Sequence, residues 1–130
     1  MGHVPHKFTE EEIAQFVVKD SGKRAEFEGG MVRDTDEGKT RYWRTFIGPM
    51  MKRWAVHLGK GAKKYPDVSI GVPNWTLAEG EAELQRFKES AADHFVQWFN
   101  GEIDEDHAAG VFFNINGAEY VKDRLRKEGL

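Results

Sequence analysis

Between His107 and Leu125 the residues His107, Val111, Asn114, Ala118, Val121 and Leu125 follow one another at alternating steps of four and three. Such steps return to the same side of an α-helix every two turns, whereas a strand changes face at each residue and could not bury this set together. The stripe therefore predicts a long helix, from about Asp104 to Lys127, that needs a partner for one face. His107 and Asn114 are polar positions on that face, and a buried polar group without a partner costs about 1–3 kcal/mol. Two readings stay open. One is an interhelical hydrogen bond that fixes packing register. The other, which we prefer, is the wall of a ligand pocket, with Gly110 letting a substrate approach the backbone.

Three further helices are predicted upstream. Thr9 and Glu12 have capping-box spacing, which starts a first helix with Ile13, Phe16 and Val17 on its apolar face. Pro49 suits the first turn of a second helix running to about Tyr65, where Met51, Trp54, Leu58, Ala62 and Tyr65 share one side and Arg53, His57, Lys60 and Lys64 another. A third runs from Leu77 or Glu81 to Asn100, with Gly101 as its stop and Leu84, Phe87, Ala91, Phe95 and Trp98 as its stripe. Weak strand signals occur only at Asp67 to Val72 and Phe27 to Val32. The expected fold class is all-α, a compact bundle of about four helices with a long Gly-rich N-terminal loop from Asp20 to Arg41.

With 130 residues, 39% of them hydrophobic, the chain suits one domain with one modest core, assigned to 1–130 with an N-terminal helix and loop over 1–28. A net charge of −3 argues against a dedicated duplex-DNA binder, whose affinity comes from cations neutralising phosphates. There is no cysteine, so thiolate metal sites are excluded and any metal is held by oxygen or imidazole ligands. No apolar run reaches membrane-spanning length and no targeting segment is evident, which makes the cytoplasm the expected compartment.

Chemistry concentrates around residues 89 to 107. Glu89 and Asp93 share a helix face, and Glu102, Asp104, Glu105, Asp106 and His107 follow after the turn. If the two helices pack antiparallel, carboxylates from both would converge, and such like charges call for a divalent cation between them. Simple solvation of a surface, with stabilisation of a helix N-terminus, is the equal alternative. The line of Arg53, His57, Lys60 and Lys64, or Lys39 and Arg41 beside Gly38, could hold a polyphosphate, although such lines are often only the wet side of a helix. Lys39 is preferred because it sits on a loop. DEGKT is not a phosphate loop, since it lacks the second upstream glycine. Trp75, after Asn74, could stack on a base or pack in the core.

Taken in order, GGMVRDTDEGKTRYW, KGAKKYPD, NW and RFKESAADHFVQWFNGEIDEDHAAGVFFN resemble the phage and bacterial dATP/dGTP diphosphohydrolase domain, a relative of the MazG-like all-α nucleotide pyrophosphohydrolases. The resemblance covers about residues 29–121. It implies a helical bundle that forms homo-oligomers, dimers or tetramers, and hydrolyses purine deoxynucleoside triphosphates to monophosphate and pyrophosphate in the host cytoplasm with Mg²⁺, Mn²⁺ being an alternative. It implies Glu89, Asp93, Glu102, Glu105 and Asp106 as metal ligands, with Glu89 or Glu105 as proton acceptor. Arg33, Lys39, Arg41, Lys60, Lys64, Asn74, Trp75, His94, His107 and Asn114 become the expected substrate-binding set. Two departures are visible: helix three offers only Glu89 and Asp93 where the relatives carry a dense EExxE, and Asp93 stands where a basic residue is expected before His94. A module that sequesters nucleotides without cutting them, and a purely structural helical protein, are the alternatives.

Overall fold

A computed structural model of the chain describes residues 7–129. The expectation that no targeting segment occurs falls partly on residues 1–6, outside the described residues. In chain order the elements are α1 (Glu10–Ala14), β1 (Arg24–Glu26), β2 (Val32–Asp34), α2 (Met50–Lys64), α3 (Glu81–Phe99) and α4 (His107–Lys127), with 3-10 turns at Tyr42–Phe46 and Asn74–Leu77. Helix dominates and the one sheet among the described residues has two strands, so the fold class is all-α. The described residues up to Arg44 form one compact unit, and those from Thr45 onward form another.

In the first unit the capping box is present: Thr9 Oγ1 accepts from the Glu12 amide and Glu12 Oε1 from the Thr9 amide, both at 3.0 Å. The helix nevertheless ends after five residues, and Ile13, Phe16 and Val17 stay more than half exposed, against expectation. A cap satisfies amides at one end only, while a helix this short is unstable unless its face is packed. Inside the Gly-rich stretch lies a hairpin, with Arg24 opposite Asp34 and Glu26 opposite Val32. The strand signal at Phe27 to Val32 thus falls mainly on its turn, closed by the Phe27 amide donating to Met31 O at 2.8 Å, with Gly30 at φ +92°. The hairpin's open end is tied by Asp34, whose carboxylate accepts from the Ser21 amide at 3.1 Å.

In the second unit the helix boundaries agree with the sequence to within a few residues, because they are set by local signals. Pro49 precedes α2, Gly101 at φ +75° follows α3, and Asp106 caps α4 by accepting from the Ala109 amide at 3.1 Å. The stripe on α4 is inward as expected: His107, Asn114, Ala118, Val121 and Leu125 are buried and Val111 is half-buried. Helix α3 packs against it. Leu84, Ala118, Val121 and Leu125 make the core, with Phe87 and Ala78 against it.

Two glycines set how closely α3 and α4 approach. A Cβ on Gly117 would lie 2.4 Å from the Phe87 ring, and one on Gly110 would lie 2.8 Å from the His94 ring. Phe87 and His94 are seven apart, as are Gly110 and Gly117, and the pairs run in opposite directions along the two helices. That is the repeat of an antiparallel pair whose large side chains fill gaps left by small ones. The α3 stripe therefore continues from Ala91 to His94. The expected Phe95 and Trp98 are instead about half exposed.

Helix α2 is also rotated from its expected setting. Its inward positions are Arg53, Trp54, His57, Leu58 and Gly61, while Met51, Ala62 and Tyr65 are exposed. Trp54 meets Phe112 edge-on at 6.2 Å, and His57 lies against Phe113 at 5.4 Å. The aromatic pair on α4 thus selects a face of α2 between the two expected sides, with Trp54 and Leu58 from the apolar one and Arg53 and His57 from the cationic one.

Candidate functional site

A cleft of about 1170 Å³ opens among α2, the turn at Asn74–Leu77, α3 and the segment leading into α4. Its lining carries the cations Arg53, Lys60 and Lys64 from α2 and Arg86 from α3. The acids Asp67, Glu83, Asp104, Glu105 and Asp106 line it too, and apolar surface comes from Tyr65, Trp75, Phe87 and Phe113. The aromatic wall is held by edge-on contacts of Trp75 with Phe113 at 6.1 Å and Tyr120 at 5.2 Å. The turn carrying Trp75 is fastened to α4, since Tyr120 and Arg124 both donate to Thr76 O, at 3.2 and 3.1 Å.

Arg53 and Asp106 form a two-bond ion pair across the cleft: Nε donates to Oδ2 at 2.8 Å and an Nη donates to Oδ1 at 2.6 Å. The guanidinium holds the Asp106 carboxyl down at about 2, helped by the Ala109 amide, and Asp106 in turn raises Arg53. A smaller pocket of about 300 Å³ is lined by Glu102, Ile103, His107 and Trp98. Arg53, Glu105 and Asp106 line both cavities.

Behind the acidic segment runs a chain of side chains. His107, 2% exposed, is bonded through Nε2 to Asp104 Oδ1 at 2.7 Å and through Nδ1 to His94 Nδ1 at 2.9 Å. Asp104, its carboxyl lowered by the bond from His107, can only accept, so Nε2 of His107 carries a proton. Its Nδ1 is taken up by the bond to His94 Nδ1. His57 has its pKa lowered by burial and by His94 nearby, which keeps it uncharged at neutral pH.

Among the described residues, the group of three or more acidic or histidine side chains close enough to share a metal ion is Glu102, Asp104 and His107, whose ligand atoms lie within 4.8 Å of one another. Two carboxylates fit Mg²⁺ or Mn²⁺, while both nitrogens of His107 are engaged, by Asp104 and by His94, so the carboxylates rather than the ring would hold an ion. Of the expected ligands, Glu102 is in this group, Glu105 lines the cleft, and Asp106 is engaged by Arg53. Glu89 and Asp93 are exposed on α3, outside both the group and the cleft wall, and Glu89 accepts from Gln85 at 3.1 Å.

Of the expected binding residues, Lys60, Lys64, Asn74 and Trp75 line the cleft, and His107 lines the smaller pocket. For His107 and His94 the observed contact is the interhelical bond that the sequence left open as an alternative. Asn114 donates from Nδ2 to Gly110 O at 2.8 Å, one turn back on its own helix, and lines neither cavity. Arg33, Lys39 and Arg41 belong to the N-terminal unit, where Arg33 is in β2 and Arg41 lies 4.0 Å from Asp36.

No family model, no curated protein and no solved structure matches the chain. Its functional reading therefore rests on the cleft. Sequence reasoning did not single out Asp104 as a ligand candidate or Arg86 as a cation of the cleft. The three-residue step from Asp104 to His107, short enough for a local side-chain bond, was a usable signal for the first. For Arg86 there was none, because the other cations of the cleft come from α2.

Proposed function

We propose that the chain is a hydrolase that uses Mg²⁺, or Mn²⁺, to cut deoxynucleoside triphosphates into monophosphate and pyrophosphate, with purine nucleotides as the substrates that the sequence resemblance implies. The observation that carries this reading is one cleft, large enough for a nucleotide, that joins four cations to three successive carboxylates and an aromatic wall. Lys60, Lys64 and Arg86 neutralise the polyphosphate, and Arg53 adds a planar donor fork suited to phosphoryl oxygens. Trp75 offers its exposed surface to the base. Glu102 and Asp104 would hold the cation, which would supply Lewis-acid stabilisation of charge on the phosphates and lower the pKa of a water. Glu105, in the cleft wall, accepts the proton as the water oxygen bonds to phosphorus and the bond to the pyrophosphate oxygen breaks.

The assembly we propose is a homo-oligomer, a dimer or tetramer, supported by the exposed Phe95, Trp98, Phe99 and Ile103 around the end of α3. No helix among the described residues is long and apolar enough to cross a membrane, and cytoplasmic residence completes the proposal. Each deoxynucleoside triphosphate is incubated with folded protein and Mg²⁺, and pyrophosphate is measured. Release from at least one purine substrate is expected, and none from any of the four refutes the hydrolase. Sequestration without cleavage is the second reading, favoured by the placement of Glu89 and Asp93 outside the cleft wall. It predicts nucleotide binding with no turnover.

A further inference from the structure

The cationic and aromatic parts of the cleft rest on different supports. Arg53, Lys60 and Lys64 stand on α2 and Arg86 on α3, whereas Trp75 stands on the four-residue turn between those helices. A 3-10 turn this short has poor hydrogen-bond geometry and little stability of its own. No side-chain bond caps its start, and it is held from outside the cleft instead. Arg124 on α4 donates from one Nη to Thr76 O at 3.1 Å and to Ala78 O at 3.3 Å, and from the other Nη to Glu79 Oε2 at 3.3 Å. The Tyr120 hydroxyl donates to the same Thr76 O at 3.2 Å, and its ring meets the Trp75 ring edge-on at 5.2 Å. Thr76, Tyr120 and Arg124 line neither cavity, while Asn74, Trp75, Leu77 and Ala78, on both sides of Thr76, line the cleft.

We propose that Arg124, with Tyr120, is a positioning residue that fixes the Trp75 ring for the base of a bound nucleotide, so that a change on α4 outside the cleft alters base recognition and leaves phosphate recognition intact. The proposal rests on the nucleotide reading of the cleft, whether or not the nucleotide is cut. A guanidinium suits the task, because its planar fork reaches all three acceptors at once and stays charged at any working pH. Stacking on an aromatic side chain commonly contributes about 5- to 150-fold in affinity per base. A ring on an untied turn must first be ordered before it can stack, and so loses part of that factor. The cations on α2 and α3 make no contact with the Arg124 fork and keep their hold on the phosphates.

The test compares dGTP with inorganic triphosphate, which carries the phosphates and no base, as ligands of the full chain. Binding is read by calorimetry in chelator-treated buffer, with folding checked by circular dichroism. Arg124→Gln is expected to raise the dGTP Kd about tenfold and to shift the triphosphate Kd less than about twofold. Tyr120→Phe removes one donor and keeps the ring, and is expected to raise the dGTP Kd about threefold. Arg126→Gln removes the same charge from the same last turn of α4, where Arg126 is paired with Asp123 and not with the Trp75 turn, and should change neither Kd. On a Trp75→Leu background Arg124→Gln should shift the dGTP Kd less than about twofold, since the ring it positions is gone. The proposal is overturned if Arg124→Gln weakens both ligands alike, if it only matches Arg126→Gln, or if its full effect survives on Trp75→Leu. A parent chain that binds dGTP no more tightly than triphosphate overturns it as well. Failure of the hydrolase reading is seen separately, as no pyrophosphate released from any deoxynucleoside triphosphate with Mg²⁺ while dGTP is still bound.

Discussion

Replacing Gly117 with alanine tests the packing of α3 on α4, on which the cleft depends. The new Cβ would lie 2.4 Å from one Phe87 ring carbon and 2.6 Å from two others, well inside van der Waals contact. The ring has little room to withdraw, because Phe87 packs on the core and meets Phe113 edge-on at 6.1 Å, and Phe113 is itself in contact with Trp75. Overpacking of this kind costs typically about 1–3 kcal/mol, and three contacts below 3.0 Å place it near the top of that range. Against it stands the helix propensity gained on replacing glycine by alanine, about 1 kcal/mol. The net expectation is a loss of about 2 kcal/mol, or a Tm lower by roughly 8–16 °C for a unit of this size. Gly59 is the control: it is exposed in the middle of α2 with nothing within 4 Å of a built Cβ, so Gly59→Ala should stabilise by about 0.5–1 kcal/mol. Thermal unfolding followed by circular dichroism reads both. Opposite signs for one chemical change, and partial rescue of Gly117→Ala by Phe87→Leu, are expected. A Gly117→Ala variant melting at or above the parent would refute the close approach of the two helices.

The cap on α4 separates charge from hydrogen bonding: Asp106→Ala should cost about 1 kcal/mol or more through the lost acceptor for Ala109, while Asp106→Asn, which keeps an acceptor, should cost less in denaturant titrations. Asp106 also predicts an acid limb. Because its folded value is lowered from 3.8 to about 2, its contribution is complete above the ordinary value and is lost as pH falls from there toward 2, a slope that Asp106→Asn should flatten in a pH series of melting curves. His57 is lowered from 6.5, so the unfolded chain takes up the proton first and stability falls as pH drops below 6.5; His57→Gln should reduce that fall. In the cleft, Lys64→Gln should weaken dGTP binding several-fold and reduce its salt dependence, whereas Lys52→Gln, on the exposed side of α2, should leave both unchanged in calorimetry.

The three long helices and their approximate ends were legible because the signals that make them are local, as was the start of α1 but not its early end. A capping hydroxyl at Thr9, a proline at Pro49 and a glycine at Gly101 each act within about one turn of chain, so neighbouring residues suffice to read them. The four-and-three stripe of α4 was legible for the same reason. Its repeat identifies a buried face whatever covers it. The acidic stretch was marked as a whole, from residue 89 to 107, and of its carboxylates Glu102, Asp104, Glu105 and Asp106 line the cavities while Glu89 and Asp93 do not.

What the sequence could not determine is which faces meet. Leu84, Phe87 and Ala91 are compatible with a stripe ending in Phe95 and Trp98 or with one ending in His94. Only the glycines on the facing helix, which leave room for the His94 ring, choose the second. Helix α2 carries apolar residues on one side and Arg53 with His57 on another, and the setting that turns Trp54, Leu58, Arg53 and His57 inward together comes from Phe112 and Phe113 on α4 and Asp106 at its cap. Arg53 and Asp106 stand 53 residues apart, so no spacing in the chain reveals their bond. Periodicity records that a helix has a face to bury, but the free energy of burying it depends on the shape and charge presented by a distant segment. That surface exists only once the chain has folded.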